Sequence, residues 1–160
     1  EIPVLSVTNT TGFETTMCAE KNLAKDMAKL TAAFANADVP KVNLITEEAY
    51  GSAYVVMNSK SVGADLVYAW NGAKVGMMDS EMAVKIMYAS EIDAADDKKA
   101  IINEKKAEYE SIQSSALAAA KRGYVDDIIE PDATRKRLIA AFEMLSSKDE
   151  QRPYKKHSSL

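Results

Sequence analysis

The residues most suited to chemistry are Ala49-Tyr50-Gly51-Ser52-Ala53-Tyr54. They follow an apolar, strand-like segment, Val42 to Thr46, and lead into a helix-forming one. A glycine among small residues lets a substrate oxygen approach the main chain closely. The first turn of a helix adds N–H groups with no internal partner and the positive end of the dipole. Such a turn can hold a developing oxyanion. The same strand-glycine-helix order also serves α/β crossovers simply as a packing device.

Other reactive side chains carry blander readings. Glu47-Glu48 stand before the helix as dipole partners or as acid/base candidates, with the first favoured. His157, the only histidine, falls in a polar tail, and Cys18, the only cysteine, near the start of an apolar-faced helix. The methionines from Met77 to Met87 read as core. Lys98-Lys99 and Lys105-Lys106 alternate with acids and read as a solvated face. Tyr50 and Tyr54 either line a pocket or pack beneath it. No metal-ligating constellation is visible.

The elements that would position the turn alternate. Ile2 to Val7 reads as a buried strand, followed by a polar turn at Asn9-Thr10-Thr11-Gly12. A helix from about Met17 to Ala37 carries Leu23, Met27, Leu30 and Phe34 on one face, and Pro40 marks its exit. Strand Lys41 to Thr46 and a helix from about Ser52 to Ser59 come next. Segments 65–70 and 74–78, joined by Asn71-Gly72, are expected to form a hairpin. Asp79 or Ser80 can cap a helix through about Ser90, apolar at Met82, Ala83, Ile86 and Met87 and therefore expected to be buried. Asp96 to Gln113 reads as an exposed arm or helix. Ser114 to Arg122 is a helix closed by Gly123, Tyr124 to Ile129 a short strand, and Pro131 opens a last helix through Ser146. Residues 147–160 read as a polar tail after a domain spanning 1–146.

With 160 residues, 47% hydrophobic and 28% charged, the chain has one good core. A formal net charge of −4 disfavours a nucleic-acid binder. A single cysteine excludes an internal disulfide and suits the cytoplasm. No apolar run approaches membrane-spanning length, and the start Glu1-Ile2-Pro3, without Met, suggests a fragment.

Taken in order, Ile2-Pro3-Val4-Leu5-Ser6-Val7, Thr11-Gly12-Phe13, Val39-Pro40-Lys41-Val42, Ala49-Tyr50-Gly51-Ser52-Ala53-Tyr54, Gly63-Ala64-Asp65-Leu66, Ala69-Trp70 and Arg122-Gly123-Tyr124-Val125-Asp126-Asp127 are similar to the C-terminal part of a biotin-dependent acyl-CoA carboxyltransferase subunit. Ile129-Glu130-Pro131, Thr134-Arg135-Lys136-Arg137-Leu138 and Lys155-Lys156-His157 resemble the same family, acetyl-CoA and propionyl-CoA carboxylase beta-type subunits and the related methylmalonyl-CoA decarboxylase alpha-type subunit. The likeness is weakest from Ala94 to Ser114.

The resemblance implies an α/β, crotonase-like fold, a superhelix of ββα units, here a C-terminal carboxyltransferase domain lacking its opening strands and inactive in isolation. It implies carboxybiotin on a partner carrier protein as cofactor and an acyl-CoA as substrate. The implied partners are the N-terminal carboxyltransferase domain of an opposing subunit, biotin carboxyl carrier and biotin carboxylase or decarboxylase subunits, in a homo-oligomer. In the family, the biotin ureido anion takes a proton from the α-carbon of the thioester and the enolate attacks CO2, so placed N–H donors replace a side-chain base. Carried over, the amides of Ser52 and Ala53 are the catalytic donors, and Gly51, Tyr54, Val55, Gly12 and Phe13 the cofactor-binding residues. The family's paired glycine is Gly51-Ser52 here. Its Asp-Thr-Pro-Gly-Phe is Asn9-Thr10-Thr11-Gly12-Phe13, without the carboxylate and the proline, and an apolar Val55 leans towards a small acyl group.

Three functions follow: a carboxyltransferase of an acyl-CoA carboxylase, the carboxyltransferase subunit of a sodium-pumping acyl-CoA decarboxylase, or a non-catalytic α/β interaction module. A hydratase is disfavoured, because no Glu pair stands at the helix positions that water addition requires.

Overall fold

The run Val42-Asn43-Leu44-Ile45 is fully or almost fully buried because strands flank it on each side. In the computed structural model, which describes residues 2–151, it opens β2 (Lys41–Tyr50). On one side of it lies β1 (Val4–Thr10) and on the other β3 (Leu66–Trp70). β4 (Lys74–Gly76) pairs with the far half of β2, and β5 (Asp127–Ile129) extends the sheet beyond β3. All strand pairings are parallel, so the connections between neighbouring strands cross over the sheet and both faces need cover.

Strand periodicity divides the core in two. Ile45, Ala49, Val67 and Ala69 face one side, where Tyr54 of α2 (Gly51–Val56) and Ala116 and Ala119 of α6 (Ala116–Lys121) pack on them. Val42, Leu44, Tyr68 and Ile129 face the other, covered by Leu138, Ala141 and Phe142 of α7 (Thr134–Met144). Between β1 and β2 runs α1 (Met17–Asn36), which Thr16 starts by accepting a hydrogen bond from the Ala19 amide at 3.2 Å. Its last carbonyls receive the buried Lys41 ammonium, which donates to Phe34 O at 2.7 Å and Ala37 O at 2.9 Å. Lys148, placed in the tail by its sequence position, donates to Asp65 and to Val39 O and so belongs to the folded body. His157, Lys155 and Lys156 lie outside the described residues.

Three expectations are corrected. Asn71-Gly72 does not reverse the chain. Neither residue has a positive φ, which a tight two-residue hairpin turn of the predicted kind demands. Instead Trp70 O accepts from Ala73 N at 2.9 Å and β4 continues in the direction of β3. The pairing passes from Ile45 with Ala69 to Glu48 with Lys74, a slip of two residues. A matching slip separates Thr8 with Ile45 from Thr10 with Ala49. The sheet is therefore interrupted at one level across three strands, and Gly51 lies just beyond it.

The methionine group is not core. Met77, Met82, Ile86 and Met87 are 80, 58, 64 and 61% exposed. Asp79 does cap α3 (Ser80–Met87), accepting from the amides of Glu81 and Met82, but only Ser80, Ala83 and Val84 of this helix are buried. Nor is β1 buried throughout. Ser6 and Thr8 point inward, whereas Leu5 and Val7 continue the apolar side of Val42 and Leu44 at the sheet edge and stay exposed.

Candidate active site

Gly51 takes φ +62 as the chain leaves β2 for α2. A Cβ added there would lie 3.1 Å from the Met77 carbonyl oxygen, so both the conformation and the space call for glycine. Tyr50 stands at the N-cap and offers no side-chain bond to the first turn, which also holds no acidic residue. Ser52 and Ala53 precede the first position whose amide can reach back to a helical carbonyl. Among the described residues neither amide has a partner in another element.

Ala53 lines a hollow of about 410 Å³ between the end of β1, α1 and α2. Gly12 and Phe13 come to the same hollow, together with Val7, Leu23, Met27, Leu30, Val56 and Met57. Three of the expected site residues, Gly12, Phe13 and Ala53, thus converge. Ser52 and Val55 occupy the exposed side of α2, and Gly51 forms the turn behind them. Tyr54 packs into the core beneath, among Ile45, Ala64 and Val67.

The loop carrying Gly12 is tied to the end of β2 through Asn9. Its Nδ2 donates to Glu47 Oε2 at 2.9 Å, and its Oδ1 accepts from Glu48 N at 3.2 Å. One amide side chain does both, which a carboxylate could not. Glu47 therefore has a local partner at the loop, in keeping with a structural place for the pair. The hydroxyls of Tyr50 and Tyr54 are buried without a hydrogen-bond partner. Loss of water pushes both phenols up to about 12, with Glu48, Asp79 and Glu110 adding to the effect at Tyr50. Both are neutral at physiological pH.

Sequence reasoning missed Met77, whose contribution is a carbonyl and leaves no side-chain signal. It also missed that the apolar stripe of α1 lines the hollow, although the spacing of Leu23, Met27 and Leu30 had marked that stripe. A larger concavity of about 880 Å³ lies along α7 against Trp70, with an apolar lining of Leu138, Ile139 and Phe142. The Trp70 indole N–H is already bonded to Thr134 Oγ1 at 2.9 Å, and Asp132, Arg135 and Glu143 also line this concavity, which holds none of the expected site residues.

The carboxyl transferase domain model matches residues 1–160. The chain is 44% identical over 160 residues to the propionyl-CoA carboxylase carboxyltransferase subunit of Haloferax mediterranei, covering 99% of this chain and 31% of that protein. It is 42% identical over 160 residues to methylmalonyl-CoA decarboxylase subunit alpha of Propionigenium modestum, with 99% and 31% covered. Among solved structures, transcarboxylase 12S, described as a hexamer with methylmalonyl-coenzyme A and methylmalonic acid bound, superposes with a TM-score of 0.92 at 37% identity. That match covers 98% of this chain and 30% of the other. The chain spans about a third of the length of these relatives, and the α/β crotonase-like carboxyltransferase fold is shown by the likeness.

Proposed function

The chain belongs to the carboxyl transferase domain family, and on that premise we propose that it works as the carboxyltransferase component of a biotin-dependent acyl-CoA carboxylase. The reaction moves a carboxyl group between biotin and the α-carbon of a short acyl-CoA. The observation that carries this reading is the Gly51 turn, which leaves the Ser52 and Ala53 amides without a partner in another element and sets Ala53 at the edge of a largely apolar hollow.

The residues present fit a biotin ring. The hollow supplies apolar walls at Val7, Phe13 and Met27, a polar edge at Thr8, Asn9 and Thr10, and an unpartnered amide at Ala53 that would donate to a ureido oxygen. When bound, biotin supplies the carboxyl group and an oxygen that gains negative charge as that group leaves. The amides of Ser52 and Ala53 would hold this charge, and each donor of such a pair would be worth roughly a hundredfold or more in rate. Val7, Leu23, Met27 and Phe13 give the hollow apolar walls, which would strengthen the same bonds once a bound ring covers them. Gly12 gives its loop a low profile beside them, and Tyr54 supports α2 from below.

The likeness to the decarboxylase subunit of Propionigenium modestum favours a second direction for the same site, removal of a carboxyl group from an acyl-CoA such as methylmalonyl-CoA. We place the protein in the cytoplasm, where the exposed thiol of Cys18 stays reduced. Its partners would be a biotin carboxyl carrier, a biotin carboxylase or decarboxylase subunit, and the N-terminal carboxyltransferase domain of an opposing copy. The exposed face at Met77, Met82, Ile86 and Met87 supports a homo-oligomer.

The test uses the full-length subunit, defined acyl-CoAs and free biotin. Gly51→Val is expected to lower carboxyl transfer at least about a hundredfold through loss of the donor geometry. Unchanged turnover would overturn the role given to the Gly51 turn and the Ser52 and Ala53 amides, whereas a wild-type subunit that transfers no carboxyl group would leave the third reading, an interaction module whose glycine serves packing. Net carboxylation against net decarboxylation, measured with the natural carrier, separates the first two.

A further inference from the structure

We infer that Glu110 is a positioning residue for the Gly51 turn, holding in place the segment that abuts it by binding Lys74 and Ser80 together. Its functional consequence rests on the reading of the Ser52 and Ala53 amides as oxyanion donors; the mechanical part does not.

The Met77 carbonyl lies where a Cβ on Gly51 would meet it at 3.1 Å, so the turn and the 77–79 segment bear on each other. That segment enters from β4, which begins at Lys74, and leaves through α3, which begins at Ser80. One oxygen, Glu110 Oε1, accepts from Lys74 Nζ at 3.0 Å and from Ser80 Oγ at 2.7 Å. The Ser80 hydroxyl belongs to a fully buried residue, where loss of a hydrogen-bond partner is costly. A single carboxylate therefore clamps both ends of the stretch that presses on Gly51.

Glu110 opens a π-turn, Glu110–Ser114, that continues α5 (Lys98–Tyr109). A π-turn is rare and often marks a functional place. Its far end is stitched to the same strand: Ser115 bridges Lys74, and Ala116 N donates to Ala73 O at 3.0 Å. The Ser80 hydrogen bond and then Lys74 hold the Glu110 carboxyl below the usual range, so both bonds have a charged acceptor at neutral pH. The buried Tyr50 hydroxyl in the same region has no hydrogen-bond partner, so the carboxylate serves the clamp and not that phenol.

The experiment compares full-length wild type with Glu110→Ala, Glu110→Gln and Ser80→Ala by amide hydrogen exchange and by steady-state carboxyl transfer. Glu110→Ala is expected to speed exchange about tenfold at residues 54–57, the first amides after the Gly51 turn that have helical or turn partners, while residues 42–45 keep the wild-type rate. It should lower kcat about tenfold with KM for acyl-CoA within about twofold, the pattern of a contact felt in the transition state. Glu110→Gln, whose carbonyl oxygen can still accept both bonds, should recover most of both losses. If Glu110→Ala does not fold, Ser80→Ala removes one donor and carries the same exchange test, with a rise of about threefold. Wild-type exchange at 54–57 in the variants, or an equal rise across β2, would overturn the clamp. A wild-type protein that transfers no carboxyl group would instead remove the functional reading, and the exchange data would still decide the clamp.

Discussion

At Gly51 the physical demands on one residue are strongest. A left-handed backbone costs a non-glycine residue roughly 1–2 kcal/mol, and the Met77 carbonyl leaves little room for a Cβ. Gly51→Ala is therefore expected to lower stability by about 2 kcal/mol in urea denaturation, besides its effect on transfer. At Asn9 the demand is chemical. Asn9→Asp removes the donor to Glu47 and sets two carboxylates against each other. Because the contact is exposed, the cost in global stability should stay below about 1 kcal/mol. The 9–12 loop should nonetheless exchange its amides faster, and Asn9→Ala should do so less, since it adds no charge. The two buried phenols give a pH prediction. Their folded values, about 12, lie above the ordinary tyrosine value. The folded form thus binds protons more tightly, and the associated stability is complete below about pH 10 and is lost as pH rises towards 12. Alkaline titration should show Tyr50 and Tyr54 among the late phenolates, with Tyr68 also raised by burial, and Tyr54→Phe should flatten the stability loss in that window.

Elements were legible where local rules decide them and illegible where neighbours do. Val42 to Ile45 reads as strand because it is apolar and branched, and α1 reads as helix because Leu23, Met27 and Leu30 repeat at its period. The Gly51 turn was legible for the same reason, since strand, glycine and helix are contiguous. The fate of Asn71-Gly72 was not. The dipeptide permits a reversal, but β2 offers a free edge beyond Glu48, and continuing along it satisfies β4 without one. In α3 the repeat of Met82 and Ile86 marks an apolar stripe without saying what covers it, and Ala83 and Val84 alone reach the core. The Glu110 clamp joins residues thirty and more apart along the chain, so spacing held no trace of it. The Asp79 cap was among the two foreseen, and it carries a prediction at this scale. Asp79→Ala should cost about 1 kcal/mol and loosen the first turn of α3 selectively, read by amide exchange.

The whole molecule presents apolar surface at Leu5 and Val7, at Met77, Met82, Ile86 and Met87, and along α7 at Ile139. Burying such area is worth about 25 cal/mol per Å² before association costs, so these faces favour contact with other protein. Met82→Glu with Ile86→Lys should therefore reduce association in analytical ultracentrifugation without lowering the thermal midpoint by more than about 2 °C, because neither residue holds up the core. Sheet direction has a further consequence, for time rather than strength. With every strand parallel, no adjacent pair can zip from a hairpin, and a bond such as Val67 N to Asp126 Oδ2 must close across 59 positions. Nucleation must wait for distant segments to meet, so refolding belongs to the slow regime of milliseconds to seconds. Strands β1 to β4 stay an open sheet until β5 is made.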